Sequence, residues 1–153
     1  MATTIKEKAS VTGTLALKVY EVEGEGEKLI RDEVLQNLVV NGGLSALASL
    51  VGAASPGANV NRIHFGTNGS DAILSDTEIE DAVEKDVLAI TYPATGQVQF
   101  TFDLGLEEGN GTSIREYGLI CADDTLFSRK TSSLIEKTDQ IRLEVTWTLT
   151  FTS

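Results

Sequence analysis

Residues 141–151 read IRLEVTWTLTF, and this stretch decides the fold class. Its odd positions, from Ile141 to Phe151, carry large apolar side chains, and its even positions carry Arg, Glu or Thr. Because successive side chains of a strand point to opposite faces, this alternation predicts a long β-strand buried on one face. The apolar face includes Trp147 and is expected to be the main packing surface of the core.

The same alternation predicts the other strands. Apolar residues alternate from Val98 to Leu104, after a turn at Gly96. Apolar positions within 11–19, the Gly-rich stretch EGEGEK at 23–28 and the following segment LIRDEV at 29–34 predict a hairpin with a charged, mobile tip. Further strands are predicted at 60–65, 87–92, 114–122 and 126–130. The pair Asp123-Asp124 is a turn signal, so 114–130 is predicted to be another hairpin.

Two stretches predict helical structure. The sequence NGGLSALASLVG at 41–52 predicts a core helix that begins near Asn41 as N-cap and ends at Gly52. Its apolar face, by helical spacing, comprises Leu44, Leu47, Ala48 and Val51. Ser75 to Glu78 has the spacing of a capping box ahead of Ile79, Ala82 and Val83, which predicts one short helical segment over 75–83.

Seven or eight strands with one core α-helix and one short helical segment predict a mainly β fold, an antiparallel β-sandwich or a barrel-like domain. We expect one β-rich domain over 11–153. The polar residues 1–10 are predicted to be a flexible N-terminal arm, which either becomes ordered on assembly or is simply a disordered end.

Composition excludes several functional classes. The chain has 153 residues and a net charge of −11, so it would repel a phosphate backbone, and nucleic acid is not an expected partner. A lone cysteine, Cys121, predicts no disulfide and no thiolate metal site. The sequence contains neither the apolar stretch of a signal peptide nor a run long enough to span a bilayer. We expect a soluble protein made in a reducing cytoplasm.

Individual residues offer little support for catalysis. His64 has no neighbouring nucleophile or second ligand in sequence, so a structural or surface role is favoured. Cys121 lies in an apolar strand and is expected to be a small buried hydrophobic residue. The loop at 64–72 is rich in Gly and Ser but lacks a phosphate-loop motif. We therefore predict no catalytic, cofactor-binding or metal-ligating residue, and no cofactor.

Carboxylates are concentrated between residues 71 and 86. Such a cluster could bind Ca²⁺ if loop geometry brought the oxygens together, but it lacks the alternating EF-hand pattern, so a solvated acidic face is favoured. A glycosidase pair of carboxylates stays open in principle, because their separation is invisible in sequence. The carboxylates are Asp71, Asp76, Glu78, Glu80, Asp81, Glu84 and Asp86.

An ordered series of short matches runs through most of the chain. It comprises NLVVNGGL at 37–44 with Leu47-Ala48, IHFGT at 63–67, SDT at 75–77, IREYGLI at 114–120, DTLFSRK at 124–130, IEK at 135–137 and LEVTW at 143–147. This series resembles bacteriophage tail-collar fibre proteins. The second half is similar to that family's pattern of E-x-G-L, G-T-L-x-A-R, I-x-K and L-x-V.

The resemblance implies a virion structural module without catalysis, in a virion assembled in the bacterial host cytoplasm. Collar fibres usually continue into long distal segments, whereas this sequence stops at Ser153, so a short tail, collar, fibre or baseplate component is expected. Head (capsid) decoration and a soluble carbohydrate-binding β-domain are the alternatives. The implied partners are other copies of the chain, as a homo-oligomer, and other phage structural proteins. Assembly is expected to use the polar segments 1–10, 23–28 and 107–113.

Overall fold

The computed structural model describes residues 8–54 and 56–153, which form ten strands and one helix. The strands are β1 (Ser10–Glu23), β2 (Gly26–Gln36), β3 (Leu38–Val39), β4 (Val60–Gly66), β5 (Val83–Asp86), β6 (Ala89–Thr91), β7 (Gln97–Leu104), β8 (Ser113–Cys121), β9 (Leu126–Glu136) and β10 (Ile141–Thr152). The helix is α1 (Asn41–Gly52). Within the described residues, no helix is long and apolar enough to cross a membrane.

The strands form two five-stranded antiparallel sheets. Sheet A has the order β2-β1-β10-β7-β6, and sheet B has the order β3-β9-β8-β4-β5. The inner faces of both sheets contribute to one apolar core, so the molecule is a β-sandwich. The predicted mainly β, antiparallel sandwich is confirmed. Neither sheet closes on itself, so the barrel-like alternative is not what forms.

Strand β10 lies at the centre of sheet A, between β1 and β7. All of its odd-numbered apolar residues except Phe151 are buried, and Trp147 is completely so. The predicted burial of this face is confirmed. The indole Nε1 of Trp147 lies in the core without a hydrogen-bond partner, so its ring is held there by packing alone.

The other predicted strands are present, with altered limits. The hairpin of β1 and β2 turns tightly at Gly24 and Glu25, and the hairpin of β8 and β9 turns at the predicted Asp123-Asp124 pair. The strand predicted at 87–92 is shortened to β6, and the one predicted at 126–130 continues to Glu136. Strands β3 and β5 were not predicted. Both are short sheet edges, and VEKD in β5 has no apolar alternation.

Helix α1 has the predicted limits but not the predicted face or cap. Val40 is the N-cap and makes no side-chain capping bond, and the buried helix residues are Gly43 and Ala46. A Cβ atom on Gly43 would collide with the carbonyl oxygen of Phe127 in β9. The close approach of these two backbones orients the helix, so Leu44 and Val51 of the predicted stripe are left exposed.

The helical segment predicted over 75–83 is wrong. The chain makes turns at 74–75 and 80–81 and is otherwise irregular until β5 begins. The capping residues are used differently: the Asp76 carboxylate accepts the N–H of Ile73 and pairs with Arg129, and Asp81 adopts a positive φ of 47°. The predicted arm over 1–10 lies, up to residue 7, outside the described residues, and Ser10 is already the first residue of β1.

Candidate functional site

Residues 67–82 form a long loop that covers the outer face of sheet B. Its apolar anchor is Ile79, which packs with Val40, Ile120 and Leu126 in a small cluster separate from the main core. A Cβ atom on Gly118 would overlap the Ile79 side chain, so the absence of a side chain at this point of β8 lets the loop lie close to the sheet. Sheet B is therefore buried on both faces at this place.

Beneath the same loop lies a buried ion pair. Glu116 in β8 and Arg129 in β9 are both shielded from solvent, and Arg129 Nε donates to Glu116 Oε1 over 2.9 Å. The second oxygen, Oε2, accepts the backbone N–H of Asn68 at 2.6 Å and that of Glu80 at 3.2 Å. The carboxylate therefore binds both ends of the loop.

The guanidinium of Arg129 extends the network into the loop. Its Nη1 donates to Asp76 Oδ2 at 3.0 Å, and its Nη2 donates to the carbonyl oxygens of Asn68 and Ser70. We call Asp76, Glu116 and Arg129 the loop-anchoring cluster. A buried pair of opposite charges is retained at low cost only when further hydrogen bonds satisfy its remaining atoms, and the loop backbone supplies those bonds.

A second buried cation anchors the loop at 105–112. Lys137 follows β9, and its Nζ donates to Asn110 Oδ1 and to the carbonyl oxygens of Thr138 and Leu106, at 2.8 to 3.4 Å. Burial lowers the pKa of this ammonium, against the opposing attraction of Glu108 and Asp139. Lys137 therefore fixes the shape of the loop that includes most of the segment at 107–113, which we expected to take part in assembly.

His64 lies on the outer face of sheet B, beyond the loop-anchoring cluster. Its Nε2 is 2.8 Å from Glu84 Oε1, and the same carboxylate accepts a bond from Arg62 at 3.1 Å. Arg62 also donates to Asp124 and to the carbonyl oxygen of Cys121, and the bond to Asp124 contributes most to raising the pKa of Arg62. These contacts tie β4 and β5 to the turn between β8 and β9.

Cys121 and Tyr117 point into the main core from β8. Burial raises the pKa of the Cys121 thiol to about 11, so the thiol stays protonated at neutral pH and packs as a small apolar group. Burial also raises the pKa of Tyr117 to about 12, although its hydroxyl shares a hydrogen bond with Ser132 Oγ. The Tyr117 ring meets Phe65 edge to face at 5.8 Å.

The acidic stretch at 71–86 divides into two groups. Asp76 turns inward to Arg129, and Glu84 pairs with His64 and Arg62. The solvated acidic face that we predicted describes the other carboxylates, which are exposed: Asp71, Glu78, Glu80, Asp81 and Asp86. Across residues 8–54 and 56–153, no group of three or more His, Cys, Asp or Glu side chains is placed to hold a metal ion.

Sequence reasoning did not identify the loop-anchoring cluster or the role of Lys137. A signal for the cluster was present: residues 117–122 read YGLICA, an unbroken run in place of the alternation expected for a strand with one solvated face. Such a run indicates cover on both faces. A charged residue next to it, Glu116, then requires a buried partner.

No protein-family model, curated protein or solved structure matches this chain.

Proposed function

We propose that the chain is a bacteriophage virion structural protein, a short non-enzymatic component of the tail, collar, fibre or baseplate that assembles through protein–protein contacts. One observation carries the proposal. Glu116, Arg129 and Lys137, which belong to the pattern resembling tail-collar fibre proteins, are the buried charges that hold the two long loops. Asp76, from the SDT match, completes the loop-anchoring cluster.

The contacts give each of these residues a structural role. Asp76 lies in the loop at 67–82, and Glu116 and Arg129 lie on the paired strands β8 and β9. Arg129 binds both carboxylates, and Glu116 and Arg129 bind the backbone of the loop. A fold that uses buried ion pairs in this way presents loops of fixed shape. Preformed loops reduce the ordering entropy that is lost on association, which favours assembly from identical parts.

The charge of the chain suits the same role. A net charge of −11 keeps free copies apart in solution until specific surfaces meet. The proposed partners are other copies of the chain and other phage structural proteins, in a virion made in the bacterial host cytoplasm. Closed symmetry is the usual arrangement for identical subunits, so we expect a homo-oligomer.

Immunogold electron microscopy of phage particles tests the proposal. Antibodies raised against the purified chain, applied to particles from the strain that encodes it, are expected to label the tail, collar, fibres or baseplate. Antibody absorbed beforehand with the purified chain is the matched control. Label on the head alone would replace the proposed location with head decoration. Particles without label, from a lysate that contains the chain, would contradict a virion role.

A further inference from the structure

Ionisable side chains are distributed very unevenly along this acidic chain. No Asp, Glu, Lys or Arg occurs in four stretches, at 9–17, 34–61, 87–102 and 145–153. The net charge of −11 therefore arises entirely from the residues outside them. Because charged side chains favour water, long uncharged stretches that stay on a protein surface need an explanation.

The fold brings these four stretches to one end of the molecule. The start of β1 pairs with the finish of β10, from Ser10 opposite Thr152 onwards, and Thr150 of β10 lies opposite Gln97 of β7. Strand β6 pairs with the same part of β7, with Thr91 opposite Gln99. Helix α1 lies beside them. We call the described part of these four stretches the uncharged end.

An apolar groove crosses the uncharged end between α1 and the edge of sheet A. It has a volume of about 680 Å³, and none of the residues that line it is Asp, Glu, Lys or Arg. Large apolar side chains that remain exposed border it, and Tyr92 keeps 77% of its surface in solvent. These bordering residues are Leu50, Ile90, Tyr92 and Phe151.

Helix α1, which lines the groove with Leu47 and Leu50, also presents exposed apolar side chains. Val51 is 90% exposed and Leu44 is 50% exposed, because Gly43 and Ala46 face the sandwich instead. One end of the molecule thus carries both an apolar ridge and an apolar groove. A surface that holds both shapes is able to complement a second copy of itself around a two-fold axis.

We propose that the uncharged end is the surface through which two copies of the chain meet, with α1 of each copy against the groove of the other. This inference rests on the proposed function, because it names the contact that self-assembly would use. Two copies that both carry −11 repel each other through most orientations. None of the residues that line the groove is Asp, Glu, Lys or Arg, so contact through this end desolvates no such charge in the groove. A cationic partner would find no carboxylate in the groove.

Sedimentation velocity of the full chain, over a range of concentrations, tests this inference. The unmodified chain is expected to form dimers. Val51→Lys and Val51→Glu are each expected to weaken the dimer by about tenfold or more, because either charge would have to be desolvated in the contact. Testing both signs separates this effect from overall repulsion, since Lys reduces the net negative charge and Glu increases it. Tyr92→Lys, at the other side of the groove, is expected to act in the same way.

Leu134→Lys and Leu134→Glu are the matched controls. Leu134 is 42% exposed and lies near the end of β9 opposite to Phe127, which lines the groove. Both controls are expected to dimerise as the unmodified chain does. Thermal unfolding of every variant checks that the fold is retained, which the exposure of Val51 favours.

A chain that stays monomeric at all concentrations overturns the inference, as does a dimer that persists in both Val51 variants or is lost only with Glu. Particle labelling is read independently. Labelled particles together with an unaffected dimer would refute this contact surface and leave the virion role standing. A dimer that is weakened in both Val51 variants, together with particles that carry no label, would support this contact surface and contradict the virion role.

Discussion

Two arginines, one on the outer face of each sheet, have several ion-pair partners in opposite surroundings. On sheet A, Arg142 bonds to Glu27, Asp103 and Glu144 and lies 4.4 Å above the Tyr20 ring, with its carboxylate partners open to solvent. On sheet B, Arg129 keeps only 2% of its side chain exposed, beneath the loop at 67–82. Each arginine is well supplied with partners. They differ in their exposure to solvent, because the loop at 67–82 covers Arg129 and its partners whereas the partners of Arg142 are open to water.

Coverage by the loop determines how much each ion-pair network contributes to the stability of the fold. Around Arg142, water and salt screen the attraction, so removing one partner leaves the others hydrated. Around Arg129, removing one partner leaves a charge without water and without compensation. The number of ion pairs in a network is therefore a poor guide to its contribution to stability.

The largest effect is expected for Arg129→Met. Loss of the guanidinium leaves the Glu116 carboxylate buried and unpaired and releases the carbonyl oxygens of Asn68 and Ser70. We expect unfolding in denaturant to show a loss of about 3–5 kcal/mol. Arg129→Lys, which keeps the charge but not the fork of donors, should recover part of the loss. An unchanged midpoint for Arg129→Met would show that the cluster contributes nothing to stability.

The next largest loss of stability is expected at the apolar contact of the loop at 67–82. Ile79 is 7% exposed, and Ile79→Ala is expected to lower the free energy of unfolding by about 2–4 kcal/mol, measured by the same denaturation. Ile73 is a matched control in the same loop, since it is 56% exposed, and Ile73→Ala should change stability by less than about 0.5 kcal/mol. Equal effects of the two substitutions would mean that the loop is not held by Ile79.

Two buried groups of sheet B, Cys121 and Tyr117, are expected to lower the stability of the fold as the pH becomes alkaline. The pKa of Cys121 is raised from 9.0 to about 11 in the folded chain, so the unfolded chain releases this proton first as pH rises. The contribution of Cys121 to stability is therefore intact below pH 9 and is lost between pH 9 and 11, to the extent of roughly 3 kcal/mol. Tyr117, raised from 10.0 to about 12, adds a later loss in the same direction.

Cys121→Ala tests the assignment by removing the earlier part of the alkaline loss while leaving the Tyr117 part. Denaturation midpoints compared with their value at pH 8 are the measurement. A pH dependence identical to that of the unmodified chain would show that Cys121 is not the group responsible.

The smallest effect is expected for Arg142→Met on the outer face of sheet A. We expect a loss below about 1 kcal/mol, and one that shrinks further as salt is added, because the partners of Arg142 are hydrated. Urea denaturation at low and high ionic strength measures both quantities. A loss as large as that of Arg129→Met would refute the role assigned to cover by the loop.

The sequence pattern predicts those parts of the fold that depend on neighbours along the chain. The period of two in 141–151 and the turn at Asp123-Asp124 both appear as expected. The face of α1 was not predictable, because it depends on the approach of Gly43 to Phe127, far along the chain. The loop-anchoring cluster was missed for the same reason. The run at 117–122 indicates that both faces of β8 are covered, but it does not identify the loop at 67–82 that buries Glu116 or the Arg129 that pairs with it.

The register of the first and last strands has a consequence for how the chain folds. Strand β1 pairs with β10 from Ser10 opposite Thr152 to Glu21 opposite Ile141, so sheet A lacks its central strand until β10 has been synthesised. The hairpin of β8 and β9 joins near neighbours and can close earlier. Late pairing between distant segments slows folding. A nascent chain that lacks β10 leaves β1 and β7 each with an open edge, and such edges recruit strands from other molecules.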